Sequence, residues 1–162
     1  MQVYIMRHGE AEGFIGHNFH SDSDRPLTTQ GQLEAQLMTN WLTKMNIHFN
    51  HIFVSPFVRA QQTCAQVLKN ININAITLDF ITPEGSAKQL HDFIDGLSPN
   101  NVELPEQALL IVSHMPLVSY LVAELTQGEH APIFATAGVA QIDYDTQSMR
   151  GEFVRMISPH DL

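Results

Sequence analysis

Two arginines, two histidines and two serines stand where apolar runs stop. Arg7 and His8 follow Val3-Tyr4-Ile5-Met6; Ser55 follows Ile52-Phe53-Val54, with Arg59 soon after; Ser113 and His114 follow the run from Ala108 to Val112. Arginine matches a phosphate with paired N–H donors and a charge that does not titrate. Imidazole can act as nucleophile, acid, base or metal ligand. A divalent ion is disfavoured, because two nearby cations oppose it and no carboxylate or thiolate set has ligand spacing. A histidine aimed at phosphorus fits the charges better. Neighbouring guanidinium groups also favour the neutral imidazole, the form able to attack.

Such residues act together only if the elements carrying them converge. The apolar runs read as short buried strands over Val3–Met6, Ile52–Val54 and Ala108–Val112, with a weaker strand over Ala75–Leu78. Between them lie helical patterns. One starts at a Thr29/Gln32 capping box and carries Leu33, Leu37, Met38, Trp41, Leu42 and Met45 on its apolar face. A second is capped by Ser55 with Pro56 at its first position, and buries Phe57, Ala60, Cys64, Val67, Leu68 and Ile71. A third begins near Ser86 and a fourth at Pro116. Val139–Tyr144 and Glu152–Ile157 read as two strands joined by a turn at Gln147-Ser148. This alternation predicts an α/β fold: a three-layer α/β/α sandwich, mainly parallel in its central sheet, with an antiparallel edge. In a parallel sheet the strand C-termini share one rim, where ligands bind. Residues 1–162 are expected to form one domain.

The net charge of −9, with three Lys and five Arg, repels phosphate backbones and anionic membranes, so nucleic-acid and membrane-surface binding are not expected. No apolar run approaches the ~18 residues that cross a bilayer. Met1–Met6 reads as a first strand rather than a signal peptide. One cysteine, Cys64, allows no disulfide framework and fits a reducing cytoplasm; its helical position reads as core packing. His17 and His20, in the Gly13–Asp24 stretch, read as solvated loop residues. Ser98–Glu106 reads as a loop.

The motifs resemble those of the histidine phosphatase superfamily, which includes the phosphoglycerate-mutase-like enzymes. Arg7-His8-Gly9-Glu10 resembles its R-H-G signature, and Pro26-Leu27-Thr28-Thr29-Gln30-Gly31 its P-L-T-x-x-G segment. Ser55-Pro56-Phe57-Val58-Arg59-Ala60-Gln61-Gln62-Thr63 is similar to S-P-x-x-R-A-x-Q-T, and Ser113-His114 to the second-histidine motif. The stretch Ser113-His114-Met115-Pro116-Leu117-Val118, continuing to Leu125, narrows the resemblance to SixA-type phosphohistidine phosphatases. The resemblance implies a phosphoglycerate-mutase-like fold. It implies His8 as nucleophile, Arg7 and Arg59 as phosphate-binding residues, and His114 as a phosphate-binding and catalytic residue. No metal or other cofactor is implied. It also implies a phosphohistidine-bearing partner: a histidine phosphotransfer domain of a sensor kinase, or a phosphotransferase-system protein. The protein is expected to act as a monomer.

Alkyl phosphates need a proton donor for a poor leaving group; Glu84 in Pro83-Glu84-Gly85 is the candidate acid, although it reads first as a solvated turn residue. A phosphorylated imidazole has a labile P–N bond and needs less help. A chain of this length leaves little for a lid, so the pocket is expected to be open. Two alternatives stand beside the phosphohistidine reading. One is a phosphatase or mutase of small phosphate esters using Glu84; the other is a phospho-ligand-binding module without turnover.

Overall fold

Alternation sorts the side chains of β1 (Gln2–Arg7) onto two faces, Val3 and Ile5 to one and Tyr4 and Met6 to the other. The same holds in β4 (Ala108–Ser113), where Leu109 and Ile111 oppose Leu110 and Val112, and in β2 (His51–Val54), where Phe53 opposes Ile52 and Val54. Strands apolar on both faces need cover on both. The computed structural model describes residues 1–13, 20–97 and 107–162. In it, α1 (Thr29–Lys44) and α2 (Val58–Leu68) cover the Tyr4/Met6 face with Met38, Leu42, Ala60, Cys64 and Val67. The opposite face is covered by α3 (Ala87–Gly96) and α4 (Leu117–Leu125), through Leu90, Ile94, Leu117, Leu121 and Leu125. The result is the expected three-layer sandwich. His17 and the loop at 98–106 lie outside the described residues.

The six-stranded sheet has the order β3-β2-β4-β1-β5-β6. The pairs β2–β3, β2–β4 and β1–β4 are parallel. β5 (Val139–Asp145) runs antiparallel to β1, and β6 (Arg150–Ile157) antiparallel to β5, which forms the expected antiparallel edge. β3 is the short strand Ala75–Thr77. No helix among the described residues is long and apolar enough to cross a membrane.

Two helix starts differ from the sequence expectation. Thr28, not Thr29, caps α1, its hydroxyl accepting the Gly31 N–H at 2.9 Å. The buried face of α1 is Gly31, Ala35, Met38, Thr39 and Leu42, whereas Leu33, Leu37 and Met45 are exposed. The reason is local. Gly31 packs against the chain after β1 so closely that a Cβ there would stand 2.1 Å from the Glu10 carbonyl oxygen. That contact sets the rotation of the helix, and residues at i+4, i+7 and i+11 from Gly31 follow it inward. The second difference is in α2, which starts at Val58 with Phe57 in the cap position and no side-chain cap. Ser55 instead accepts the Phe57 N–H at 3.2 Å and spends its hydroxyl on the site below. α3 starts near Ser86 as expected, with Ser86 as its cap, and Pro116 precedes the first residue of α4.

Candidate active site

The sheet order brings the three polar strand ends together. Parallel pairing sets Arg7 opposite Ser113, and Val54 opposite Val112. The N–H of His8 donates to the Ser113 carbonyl at 3.0 Å, and that of Ser55 to the Val112 carbonyl at 3.0 Å. His8, Ser55 and His114 are therefore neighbours at the rim.

His8 is 7% exposed. Its Nδ1 lies 2.6 Å from the carbonyl oxygen of Gly9. A carbonyl only accepts, so Nδ1 carries the proton and Nε2 keeps its lone pair. Arg59 Nε–H donates toward that lone pair at 3.3 Å. Burial, and then the charges of Arg59, Arg7 and Arg25, push the His8 pKa down to about 4, against the opposing hydrogen bond to Gly9. The ring is neutral at physiological pH.

The stretch Arg59-Ala60-Gln61-Gln62-Thr63 works as a clamp. Arg59 aims at His8. Gln61 donates to the Ser55 carbonyl at 2.8 Å, holding the end of β2. Gln62 accepts the Leu27 N–H at 2.7 Å, tying in the segment before α1. Thr63 accepts the Gly9 N–H at 3.0 Å while its hydroxyl donates to the Arg59 carbonyl at 2.8 Å. Ala60 and Thr63 are both fully buried, and Thr63 ties the first turns of α2 directly to the His8-Gly9 segment.

His114 is 1% exposed, and its ring centroid lies 5.0 Å from that of His8. Its Nε2 is 2.7 Å from Ser55 Oγ. A hydroxyl both donates and accepts, so Ser55 locates the ring without choosing its tautomer. Burial first, then the charges of His8, Arg59 and Arg7, lower the His114 pKa to about 2, against a smaller opposing effect of Asp22. Phe57 packs edge-on against this ring at 5.0 Å. Arg7 donates through Nη1 to the Phe134 carbonyl at 2.7 Å. Among the described residues, buried Arg7 Nε and His114 Nδ1 have no hydrogen-bond partner. Uncommitted polar atoms of this kind, on a guanidinium and an imidazole, suit a ligand oxygen.

Arg7, His8, Arg59 and His114 thus meet at one site. Glu84 is exposed in its turn and makes no hydrogen bond to any of the four among the described residues. His20 is exposed. Cys64 is buried in the core, as expected. Among the described residues, no group of three or more His, Cys, Asp or Glu is arranged to hold a metal ion.

Two acidic residues join the site without a motif to announce them. Asp22, in a 3-10 turn over Asp22–Asp24, receives Arg59 Nη2 on Oδ2 at 2.9 Å and Arg59 Nη1 on its carbonyl oxygen at 2.7 Å. Glu34, in the second turn of α1, accepts the Glu10 N–H at 2.8 Å and the Thr136 hydroxyl at 2.9 Å. In sequence, Asp22 is one polar residue in a polar loop, and Glu34 is one carboxylate on an amphipathic helix.

The parallel part of the sheet thus gathers two arginines and two histidines at one rim. Residues 3–82 match the histidine phosphatase superfamily (branch 1), and the chain belongs to that superfamily. Within it, the chain is 40% identical to phosphohistidine phosphatase SixA of Escherichia coli (strain K12), over 100% of this chain and 96% of that protein. It is 39% identical to a phosphohistidine phosphatase SixA homolog of Haemophilus influenzae, over 90% of this chain and 89% of the relative. The solved structure of the protein histidine phosphatase SixA complexed with tungstate superposes with a TM-score of 0.88, at 40% identity, covering 99% of each chain.

Proposed function

We propose that the whole chain works as one phosphohistidine phosphatase domain, releasing phosphate from a phosphorylated histidine on a signalling protein through a phospho-His8 intermediate. The observation that carries this reading is the His8 ring: neutral, its proton held on Nδ1 by Gly9, its Nε2 lone pair facing Arg59. In the first step Nε2 attacks phosphorus. The N–P bond to His8 forms as the substrate's P–N bond breaks, and that electron pair returns to the substrate imidazole, which leaves as the neutral ring, protonated from solvent where it did not already carry a proton. Positive charge grows on the His8 ring, and the Gly9 carbonyl on Nδ1–H stabilises it. Arg59 Nε–H, released from the lone pair, passes to a phosphoryl oxygen. Arg7 Nε and His114 supply further hydrogen bonds to the equatorial oxygens. In the second step water attacks phosphorus, the electron pair returns to Nε2, and orthophosphate leaves. Arginines supply the positive charge throughout.

Similarity to SixA over the full chain supports a phosphohistidine protein as substrate. The reading extends to a histidine phosphotransfer domain as the physiological partner, with a phosphotransferase-system protein as the next candidate. It takes the enzyme to be a cytoplasmic monomer. Tungstate is a phosphate-like oxyanion, and its presence in the SixA structure agrees with an oxyanion site.

The test is incubation with a histidine phosphotransfer protein carrying labelled phosphate. Label is expected to appear transiently on the enzyme and then as orthophosphate. His8→Ala is expected to fold and to do neither. A sugar phosphate turned over in clear preference, with that activity abolished by Glu84→Gln, would favour the ester reading instead. Oxyanion binding with no phosphoenzyme would favour a binding module.

A further inference from the structure

Arg59 is held at both ends of its guanidinium group. Nε points at the nucleophile, and both terminal nitrogens are taken by one residue, Asp22, through Oδ2 at 2.9 Å and the main-chain oxygen at 2.7 Å. A guanidinium is planar and rigid, so fixing Nη1 and Nη2 fixes the direction of the Nε–H bond. Asp22 is itself braced. Its Oδ1 takes Arg25 Nε at 2.8 Å, and Arg25 Nη1 reaches the Glu12 carbonyl at 2.9 Å, just beyond the Arg7-His8-Gly9 segment. The chain of contacts runs from Glu12 through Arg25, Asp22 and Arg59 back to His8, and closes a ring around the nucleophile.

We propose that Asp22 is a positioning residue that aims Arg59 at His8 Nε2 and thereby sets the affinity of the site for a phosphoryl group. The inference rests on the reading of this rim as a phosphoryl site. Partial burial raises the Asp22 pKa, but hydrogen bonds and charge from Arg59 and then Arg25 outweigh it, and the carboxyl lies below its ordinary value. The brace is therefore ionised whenever the imidazoles are neutral. An opposite role is conceivable on charge alone, since a carboxylate on a phosphate-binding arginine repels and competes with a phosphate. The geometry favours positioning. Asp22 grips the terminal nitrogens, leaving the Nε edge turned to the nucleophile, where the phosphorus must arrive. The two roles predict opposite signs.

The experiment is calorimetric titration of the full chain with orthophosphate at fixed ionic strength, alongside steady-state turnover of a phosphohistidine protein. For Asp22→Ala, orthophosphate binding is expected to weaken about threefold to tenfold, the size of a partly exposed charged contact, and KM to rise. Asp22→Asn keeps an oxygen acceptor for Nη2 and is expected to recover most of the loss. The Asp22 side chain is 47% exposed, so thermal unfolding should move little, which separates aiming from fold damage. Binding that is unchanged or tighter in Asp22→Ala overturns the proposal, tighter binding marking Asp22 as a competitor. Wild-type protein that neither binds nor is inhibited by orthophosphate would overturn the phosphoryl-site reading as well; wild type that binds normally beside an unaffected variant overturns the role of Asp22 alone.

Discussion

The Nε–H of Arg59 points at Nε2 of His8 across 3.3 Å, so the nitrogen proposed to attack is the one a cation already faces. A proton on that nitrogen would face the guanidinium directly. Burial opposes it further, and the ring resists protonation until about pH 4. Turnover is therefore expected to stay level through the range where an ordinary histidine titrates, and to fall only as pH approaches 4.

The same pKa values fix the sign of an effect on stability. In the unfolded chain both histidines take up protons below their ordinary value of 6.5, whereas the folded protein holds His8 neutral to about 4 and His114 to about 2. The unfolded state then binds more protons, so stability falls as pH drops from 6.5 toward 4 and is independent of these groups above 6.5. The loss is on the order of a few kcal/mol per histidine. Melting temperature followed from neutral pH into acid should decline less steeply in His114→Gln than in the wild type. Parallel curves would refute the buried, neutral state of His114.

Glu34 is expected to matter more than an ordinary helix carboxylate. It joins Glu10, two residues past His8, to Thr136, two residues after the carbonyl that receives Arg7. Its charge also supports the Arg7 cation, which burial and Arg59 disfavour. Glu34→Ala should lower kcat/KM about tenfold by loosening Arg7, and lower stability by roughly 0.5–1.5 kcal/mol through the lost hydrogen bonds to Glu10 and Thr136. Glu34→Gln keeps an acceptor oxygen and should retain most of the stability. Kinetics and urea unfolding of the two variants give the comparison; equal activity in Glu34→Ala and wild type would dismiss the role.

Gly31→Ala tests what sets the rotation of α1. Its new methyl would meet the main-chain carbonyl oxygen of Glu10 at 2.1 Å, with no flexible side chain there to yield. A loss of at least about 2 kcal/mol is expected, with a loss of activity, because the residues displaced follow His8. Gly96→Ala is the control. It lies in the last turn of α3 with nothing within 4 Å of an added Cβ, and should be neutral or gain up to about 1 kcal/mol. Urea denaturation separates the two.

The sheet and the four rim residues were legible because both signals are local. Short apolar runs such as Ile52-Phe53-Val54 and Ala108–Val112, rich in β-branched residues and alternating with helical patterns, read as buried strands, and each stops at a polar residue with chemistry to offer. What escaped depends on contacts distant in sequence. Ser55 reads as a helix cap because Pro56 follows it, yet its hydroxyl is drawn to His114, 59 residues away. Leu33 and Leu37 fit a helical stripe, yet Gly31 turns them outward. Asp22 has no periodic or motif signal at all; its role exists only once α2 delivers Arg59 beside it.

Cys64 lies 2% exposed in the core beneath the site, and burial pushes its thiol up to about 12. Thiolate is the form that peroxides and alkylating agents consume, and this thiol supplies almost none. A phosphatase that relies on a cysteine nucleophile can be silenced by oxidation. Here the proposed attacking atom is a ring nitrogen and the chain's one sulfhydryl is sealed away. The proposed catalyst would keep working through oxidative stress that stops thiol-dependent enzymes, so a signal it erases stays erasable under those conditions.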